Sequence, residues 1–228
     1  MWEESRRSPA RWLSAYLYDA VRIKTVLPSS NTFYSYDRDN HMTRFKDTVT
    51  LDFKYDGDGA RREKTQGASV TKFIYDRKTG TPGLDPVLLE TDAFDVTQVR
   101  YTHGLELVSQ KVTSSSTPHY YHFEAIGTTR QLTDNGQLVT DNYTFDAWGN
   151  AVTQVGTTSN PFRYVGKENY YVDTQSNLML LGVRYYDPAK GRFTTKDPIQ
   201  SGRNWYGYVQ NPIRYSDPSG LRCCPVRI

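Results

Sequence analysis

The chain has 228 residues and a nearly balanced charge, with 28 Lys and Arg against 25 Asp and Glu. This balance excludes the strongly basic field of a dedicated nucleic-acid-binding domain, and no apolar run reaches the roughly 18 residues of a membrane-spanning helix. Aromatic residues make up 14% of the chain and 18 residues are Tyr, which argues against wholesale disorder. Two Cys are too few for a disulfide framework or a four-ligand zinc site. Composition therefore favours a Tyr-rich β protein, and we predict no metal site and no cofactor.

Residues 1–30 are predicted to form an amphipathic helix and a linker. Ser8 suits the N-cap, Pro9 suits the first helical position, and apolar residues follow at helical spacing from Trp12 to Val21. The segment lacks the basic start and apolar stretch of a signal peptide. A helix packed on the rest of the chain and a membrane-surface or partner helix are both consistent with this pattern, and the sparse Lys and Arg favour the former.

The strongest strand pattern runs from Thr48 to Tyr55, where apolar and polar residues alternate strictly. Such alternation predicts a strand with one buried and one exposed face. The strand ends in a Tyr-Asp step, and Tyr36-Asp37, Tyr55-Asp56 and Tyr75-Asp76 recur about every 20 residues. A fixed period of this length indicates a repeat of strand pairs and turns.

The side-chain chemistry of Tyr and Asp explains why this pair ends each strand of the repeat. The Asp side chain can cap the turn that follows each strand, and Tyr suits a half-buried position in a sheet. Asp134-Asn135-Gly136 predicts a hairpin turn that joins strands at 129–133 and 137–145. Arg61-Arg62-Glu63-Lys64 is interpreted as a solvated turn.

From residue 120 onward, motifs accumulate that are specific to one family. In chain order they are Tyr120-Tyr121-His122-Phe123-Glu124-Ala125-Ile126-Gly127-Thr128-Thr129-Arg130, Gly166-Lys167-Glu168, Arg184-Tyr185-Tyr186-Asp187-Pro188, Gly191-Arg192-Phe193, Asp197-Pro198-Ile199, Asn204-Trp205-Tyr206-Gly207-Tyr208, Asn211-Pro212 and Asp217-Pro218-Ser219-Gly220-Leu221. With these motifs the chain resembles the RHS/YD-repeat family, which includes bacterial RHS polymorphic toxins, the C components of insecticidal toxin complexes and the teneurin shell.

The resemblance implies an all-β fold in which antiparallel β-hairpin repeats form part of a spiral β-shell. We expect a short N-terminal helix and linker at 1–30, YD-type repeats at 31–119, an RHS repeat-associated core with an irregular C-terminal plug at 120–221, and a short tail at 222–228. Complete shells of the family are several times longer than this chain. We therefore expect a truncated shell module that serves encapsulation or a cell-surface or carbohydrate interaction, with no toxin cargo in the chain.

The resemblance also implies a candidate catalytic pair, Asp197 and Asp217. In toxin-type members, paired Asp-Pro motifs form an aspartyl autoprotease, which would here cut between Leu221 and Arg222 in a single turnover, with Lys196 as a helper. Two neighbouring carboxyl groups can share one proton, so that one acts as base and the other as acid.

Turn formation is the alternative role for both aspartates, because Asp-Pro is a common turn pair. The sequence also departs from the family pattern: Gln200 stands where the family has Gly, and the step between the two Asp residues is short. Asp85 and Asp187 precede Pro as well and are interpreted as turn residues.

The remaining expectations concern partners and location. Other segments of a split RHS shell, a toxin cargo, and a carbohydrate or cell-surface ligand are the expected partners, and no nucleic acid and no membrane span are expected. The family acts outside the cell or in its envelope, but location stays open because no signal peptide is recognised. Cys223-Cys224 is interpreted as a pair of free thiols, and His119 and His122 are placed on opposite faces of a strand.

Overall fold

In a computed structural model, the chain forms a long antiparallel meander that carries a second, smaller sheet. The structure describes residues 15–19, 22–27, 30–77, 85–115, 117–200, 202–221 and 224–225, with side chains from residue 32 to residue 221. Fourteen consecutive strands each pair with their neighbours in the chain to form the large sheet. They are β1 (Ala15–Asp19), β2 (Arg22–Leu27), β3 (Ser30–Tyr36), β4 (Met42–Lys46), β5 (Thr50–Tyr55), β6 (Arg61–Gln66), β7 (Ser69–Tyr75), β8 (Val87–Thr91), β9 (Thr97–His103), β10 (Leu107–Val112), β11 (His119–Phe123), β12 (Thr129–Thr133), β13 (Val139–Phe145) and β14 (Ala151–Val155). This arrangement confirms the predicted all-β hairpin fold.

The Asp of the repeat closes the turns as its side-chain chemistry predicts. At Asp56, one carboxylate oxygen accepts the amide N–H groups of Asp58 and Ala60 at 3.1 and 3.0 Å, while Gly59 adopts a φ of 81°. The left-handed residue creates a bulge, and the pairing of β5 with β6 shifts at this point. Four further Asp side chains accept hydrogen bonds from the amides two and four residues later in the same way, namely those of Asp37, Asp92, Asp134 and Asp146.

The predicted strand ending at Tyr55 begins at Thr50 and has the expected faces. Leu51 and Phe53 are buried, whereas Thr50 and Lys54 are exposed. The buried side chains of β3 to β13 form one continuous apolar layer, rich in Tyr and Phe, on one face of the large sheet. Each large aromatic ring removes about 150–250 Å² of surface from water, so this layer is the main source of stability.

A small sheet covers this layer and is itself buried on both faces. Its strands are β15 (Tyr171–Asp173), β16 (Leu178–Leu181), β17 (Arg184–Asp187) and β18 (Arg192–Phe193), preceded by a 3₁₀ helix (Gly166–Glu168) and followed by β19 (Tyr215–Ser216) and β20 (Cys224–Pro225). Tyr185 packs against Phe53 and Tyr171 against Phe73, with ring centroids 5.3 and 5.4 Å apart. The opposite face of the small sheet packs on a second apolar cluster that includes Tyr208.

The predicted N-terminal helix is wrong over residues 15–19 and 22–27, which form β1 and β2. Ser8, Pro9 and Trp12 lie outside the described residues. The helical spacing of apolar residues is overridden because β2 pairs with β3, which satisfies backbone groups along the whole strand. The segment Tyr18-Asp19 is a further copy of the Tyr-Asp strand ending that the sequence interpretation missed.

The interpretation of residues 61–64 as a solvated turn is also wrong. They open β6, and Arg61 is only 2% exposed. Its Nη1 donates to Asp173 Oδ2 at 2.5 Å and to the Tyr185 hydroxyl at 2.7 Å. Opposite charge supplied by the small sheet, more than 100 residues away in the chain, draws this Arg into the interior.

The large sheet runs without interruption through residues 30 and 120, the limits predicted for the repeat region and the core. The proposed division of the chain at these positions stays a prediction. Within the described residues, no helix is long and apolar enough to cross a membrane.

Candidate functional site

Asp197 lies in a tight turn that follows the small sheet. Its Oδ1 accepts the Ile199 amide at 3.0 Å, and its carbonyl accepts the Gln200 amide at 3.1 Å. Its own amide donates to the Trp205 carbonyl at 2.8 Å, which joins the two ends of the loop. Gln200 adopts a φ of 52°, so the residue that replaces the family Gly occupies the left-handed conformation that favours Gly.

Asp217 lies in a turn of the same kind directly after β19. Its Oδ1 accepts the Leu221 amide at 3.2 Å and the Ser219 hydroxyl at 3.1 Å. Its backbone N–H donates to the hydroxyl of Tyr170 at 2.7 Å. Burial raises the pKa of the Tyr170 hydroxyl well above its ordinary value, so this group stays protonated. One carboxylate oxygen of Asp217 is thus committed to the turn that carries Leu221.

Arg184 connects the two turns. Its Nη2 lies 3.7 Å from Asp217 Oδ2, and its Nη1 donates to the Trp205 carbonyl at 3.0 Å. Burial lowers the pKa of the Arg184 guanidinium below its ordinary value, while the negative charges of Asp197 and Asp217 act in the opposite direction. The guanidinium is therefore stabilised in its charged form by both candidate catalytic carboxylates.

These groups line a single pocket of about 900 Å³, which we call the Asp197/Asp217 pocket. Arg184, Asp197, Asp217 and Leu221 all lie on its wall. Both aspartates are almost completely buried, at 4% and 1% exposure. The structure thus places the two carboxylates and Leu221, after which cleavage is predicted, on the wall of one pocket, although these residues lie up to 24 positions apart in the chain.

Lys196, the predicted helper, lies outside the wall of the Asp197/Asp217 pocket. Its Nζ lies 4.1 Å from the centre of the Trp205 ring, and its carbonyl accepts a hydrogen bond from Asn40 at 3.1 Å. Its predicted helper role stays a prediction without a contact among the described residues that supports it.

The turn that carries Leu221 is pressed against the hairpin between β16 and β17. A Cβ added at Gly182 would lie 2.1 Å from the carbonyl oxygen of Ser219. A Cβ added at Gly220 would lie 2.3 Å from the carbonyl oxygen of Leu181, in the hairpin. Gly220 also has a φ of 67°. Only glycine allows this backbone-to-backbone approach, which fixes Leu221 beside Asp217.

The other predicted turn aspartates have separate environments. Asp187 accepts the Lys190 amide at 3.3 Å and its ammonium group at 2.5 Å, as a turn residue would. Asp85 is buried, with its carboxylate 4.0 Å from Arg77 Nη1. Asp187 and Asp85 are not part of the wall of the Asp197/Asp217 pocket.

His119 and His122 are not part of the wall of this pocket. His119 and His122 lie on β11, one half-buried and one exposed, and His122 Nε2 bonds the Thr133 hydroxyl at 2.9 Å. Cys223 lies outside the described residues, and only the backbone of Cys224 is described, in β20. Their interpretation as free thiols stays a prediction.

Sequence reasoning missed Arg184 as a site residue. The signal was present, because Arg184 stands among buried residues in β17, where every position is buried. A charged residue in such a strand needs a buried partner. The sequence does not reveal which of the 25 acidic residues supplies it.

Comparison with known proteins gives consistent matches, although no family model matches the chain. The tRNA3(Ser)-specific nuclease WapA of Bacillus spizizenii is 30% identical over 201 residues, which cover 82% of this chain and 8% of that protein. The probable deoxyribonuclease RhsA of Dickeya dadantii is 47% identical over 55 residues, which cover 23% of this chain and 4% of that protein. The chain therefore spans less than a tenth of the length of either relative.

Among solved structures, the Photorhabdus luminescens Tc holotoxin pore with a substituted TccC3 matches with a TM-score of 0.63. The match is 19% identical and covers 88% of this chain and 10% of that chain. At this identity the likeness concerns the fold alone.

Proposed function

Because this chain belongs to the RHS/YD-repeat family, we propose that it is a wall segment of an RHS shell that helps to enclose a polypeptide cargo. The observation that carries this proposal is the packing of the small sheet and its flanking segments on the apolar layer that β3 to β13 form on one face of the meander. Among the described residues, β1 and β14 are the outermost strands of this sheet, and outermost strands need further strands or a cover to avoid aggregation.

Electron cryomicroscopy of the complete gene product that contains this sequence tests the proposal. We expect hairpins that continue the sheet beyond β1 and surround a chamber. A sheet that ends at β1 and faces solvent on the side opposite the small sheet, with no enclosed volume, would refute the wall role.

A second function is favoured by the Asp197/Asp217 pocket. We propose that the aspartates hydrolyse the chain's own peptide bond after Leu221. Support comes from the shared pocket and from the 3.2 Å hydrogen bond that holds the Leu221 amide on Asp217. Arg222 lies outside the described residues.

The chemistry follows from two carboxyl groups that share one proton. The ionised group takes a proton from a water molecule, whose oxygen adds to the carbonyl carbon of Leu221. The protonated group gives its proton to the departing nitrogen of Arg222, and the C–N bond breaks. Leu221 then ends in a new carboxylate and Arg222 begins with a new amine. The cut segment belongs to the same chain, so each molecule reacts once.

Intact-mass analysis of the purified chain and its variants tests this second function. We expect a product that ends at Leu221 from the wild type, and full-length protein from Asp197→Asn and Asp217→Asn. Asp187→Asn is the matched control, because it alters an Asp-Pro turn outside the pocket and should cleave like the wild type. Cleavage that survives in both Asp197→Asn and Asp217→Asn would refute the assignment.

A further inference from the structure

A small cavity of about 30 Å³ lies where the large sheet meets the small sheet. The large sheet supplies Arg61 of β6, Tyr75 of β7 and Val87 of β8 to its wall. The opposite side of the wall includes Tyr171 of β15 and Asn169, which directly follows the 3₁₀ helix. Among the described residues, none lines both this cavity and the Asp197/Asp217 pocket. We propose that the cavity is a binding site for one buried water molecule, which joins the two sheets.

Arg61 brings a hydrogen-bond donor to this site. Its Nη1 is already engaged, because it donates to Asp173 and to the Tyr185 hydroxyl. Its Nε is buried and has no acceptor among the described residues. A buried N–H group without an acceptor is costly, and such groups in native proteins are usually satisfied by protein atoms or by an ordered water. The Arg61 Nε–H therefore needs an acceptor that the described residues do not supply.

Asn169 brings a hydrogen-bond acceptor to the same site. Its Oδ1 is buried and receives no hydrogen bond from the described residues. Its backbone is held at a φ of 63°, and its N–H donates to the Gly166 carbonyl at 3.1 Å. Since neither Arg61 Nε nor Asn169 Oδ1 has a partner, the two atoms do not bond each other directly. A lone donor and a lone acceptor on one wall are the partners that a bridging group requires.

Charge and size decide which group fits between them. A water molecule accepts from Arg61 Nε and donates to Asn169 Oδ1, so it satisfies both atoms at once. An anion could accept from Nε but would leave Oδ1 without a donor, and it would lie close to the buried Asp85 carboxyl on the same wall. A cation would be repelled by the Arg61 guanidinium. A water needs about 10–15 Å³ of cavity, so the volume suffices for one.

The bridge strengthens the junction between the two sheets. Arg61 opens β6 of the large sheet, and Asn169 lies two residues before β15 of the small sheet. Arg61 already reaches the small sheet directly through Asp173. The water adds a second link from the same guanidinium to a different segment of the chain. Buried waters with such partners are part of a protein's structure and are costly to remove.

A high-resolution crystal structure of the 228-residue chain tests the site directly. We expect one density peak at about 2.7–3.2 Å from both Arg61 Nε and Asn169 Oδ1. Crystals grown with bromide in place of chloride distinguish water from an anion, because bromide gives an anomalous signal. A cavity without a peak between these two atoms, or an anomalous peak at that position, would overturn the proposal.

Asn169→Gly tests the acceptor, because Gly keeps the left-handed backbone and removes Oδ1. We expect the peak beside Arg61 Nε to be lost or strongly reduced in crystals of this variant. Asn177→Gly is the matched control, since Asn177 also has a left-handed φ, of 57°, but is not part of the cavity wall. This control should keep the peak.

The two variants give opposite results only if Asn169 holds the water. A peak of unchanged height in Asn169→Gly, or a peak that is lost equally in Asn177→Gly, would overturn the assignment of Asn169 as its partner. If Asn169→Gly does not fold, the wild-type crystals still decide whether the water is bound.

Discussion

Replacing Asp173 by Asn tests the buried charge cluster that joins the large sheet to the small one. Asp173 is fully buried, and its two oxygens accept Arg61 Nη1 at 2.5 Å and Lys64 Nζ at 3.0 Å. The Arg61 guanidinium also lies between the rings of Phe73 and Tyr171, 4.5 Å from each centre. The substitution keeps the volume but leaves Arg61 without its counter-charge, so we expect the free energy of unfolding to fall by about 3–5 kcal/mol.

Urea unfolding followed by intrinsic fluorescence measures this change. The matched control is Asp52→Asn, because Arg44 Nε and Asp52 Oδ1 are also 2.5 Å apart but the two side chains are 55% and 40% exposed. Exposed pairs contribute about 0–1 kcal/mol, so this variant should unfold almost like the wild type. Equal losses in the two variants, or a loss under about 1 kcal/mol in Asp173→Asn, would refute the reasoning from burial.

The pH dependence of Asp173 follows from its neighbours. Burial tends to raise the pKa of its carboxyl, but Arg61 and Lys64 outweigh burial and hold the pKa below its ordinary value. The carboxylate therefore contributes stability above about pH 4, and that contribution is lost as the pH falls through the lowered pKa. The Asn variant should show a shallower loss of stability on acidification than the wild type.

Three further predictions concern single positions. Burial raises the pKa of the Glu90 carboxyl, so the contribution of this group to stability falls as the pH rises above about 4.3. Glu90→Gln should therefore be at least as stable as the wild type in urea unfolding at neutral pH. A large loss of stability in this variant would contradict this. Gln200→Gly relieves a φ of 52° and should raise the free energy of unfolding by about 1 kcal/mol in the same assay. An unchanged or lower value would contradict this. Gly149→Ala places a Cβ 2.8 Å from the Tyr164 ring at a φ of 91° and should lower the melting temperature, with a cost of about 1–3 kcal/mol; an unchanged melting temperature would show that the turn relaxes.

The parts of the fold that are local in the chain could be predicted from the sequence. In the Tyr-Asp steps at Asp37 and Asp56, the Asp side chain accepts the amides two and four residues later, and the strand ending at Tyr55 is defined by its own alternation. These features depend on a few consecutive residues, so periodicity and turn chemistry are enough to find them.

The contacts that join distant segments could not be predicted in this way. Arg61 meets Asp173 across more than 100 residues, and the charge run that contains Arg61 has the composition of a solvated turn. The apolar residues of the N-terminal segment have helical spacing, yet residues 15–19 and 22–27 pair as strands because β3 offers an edge. Arg184 reaches Asp217 and Gly220 only after the chain has folded back on β17. The family motifs were enough to predict both aspartates, but the contact of Arg184 with Asp217 could be found only in the structure.

The most direct test of the central functional claim is the rate at which the purified chain shortens to residues 1–221, measured by intact mass at several protein concentrations. Hydrolysis by the chain's own Asp197 and Asp217 predicts a first-order rate that does not depend on concentration, with a single new carboxyl terminus at Leu221. A chain that keeps Arg222 to Ile228, or a rate that rises with protein concentration, would contradict cleavage within the molecule.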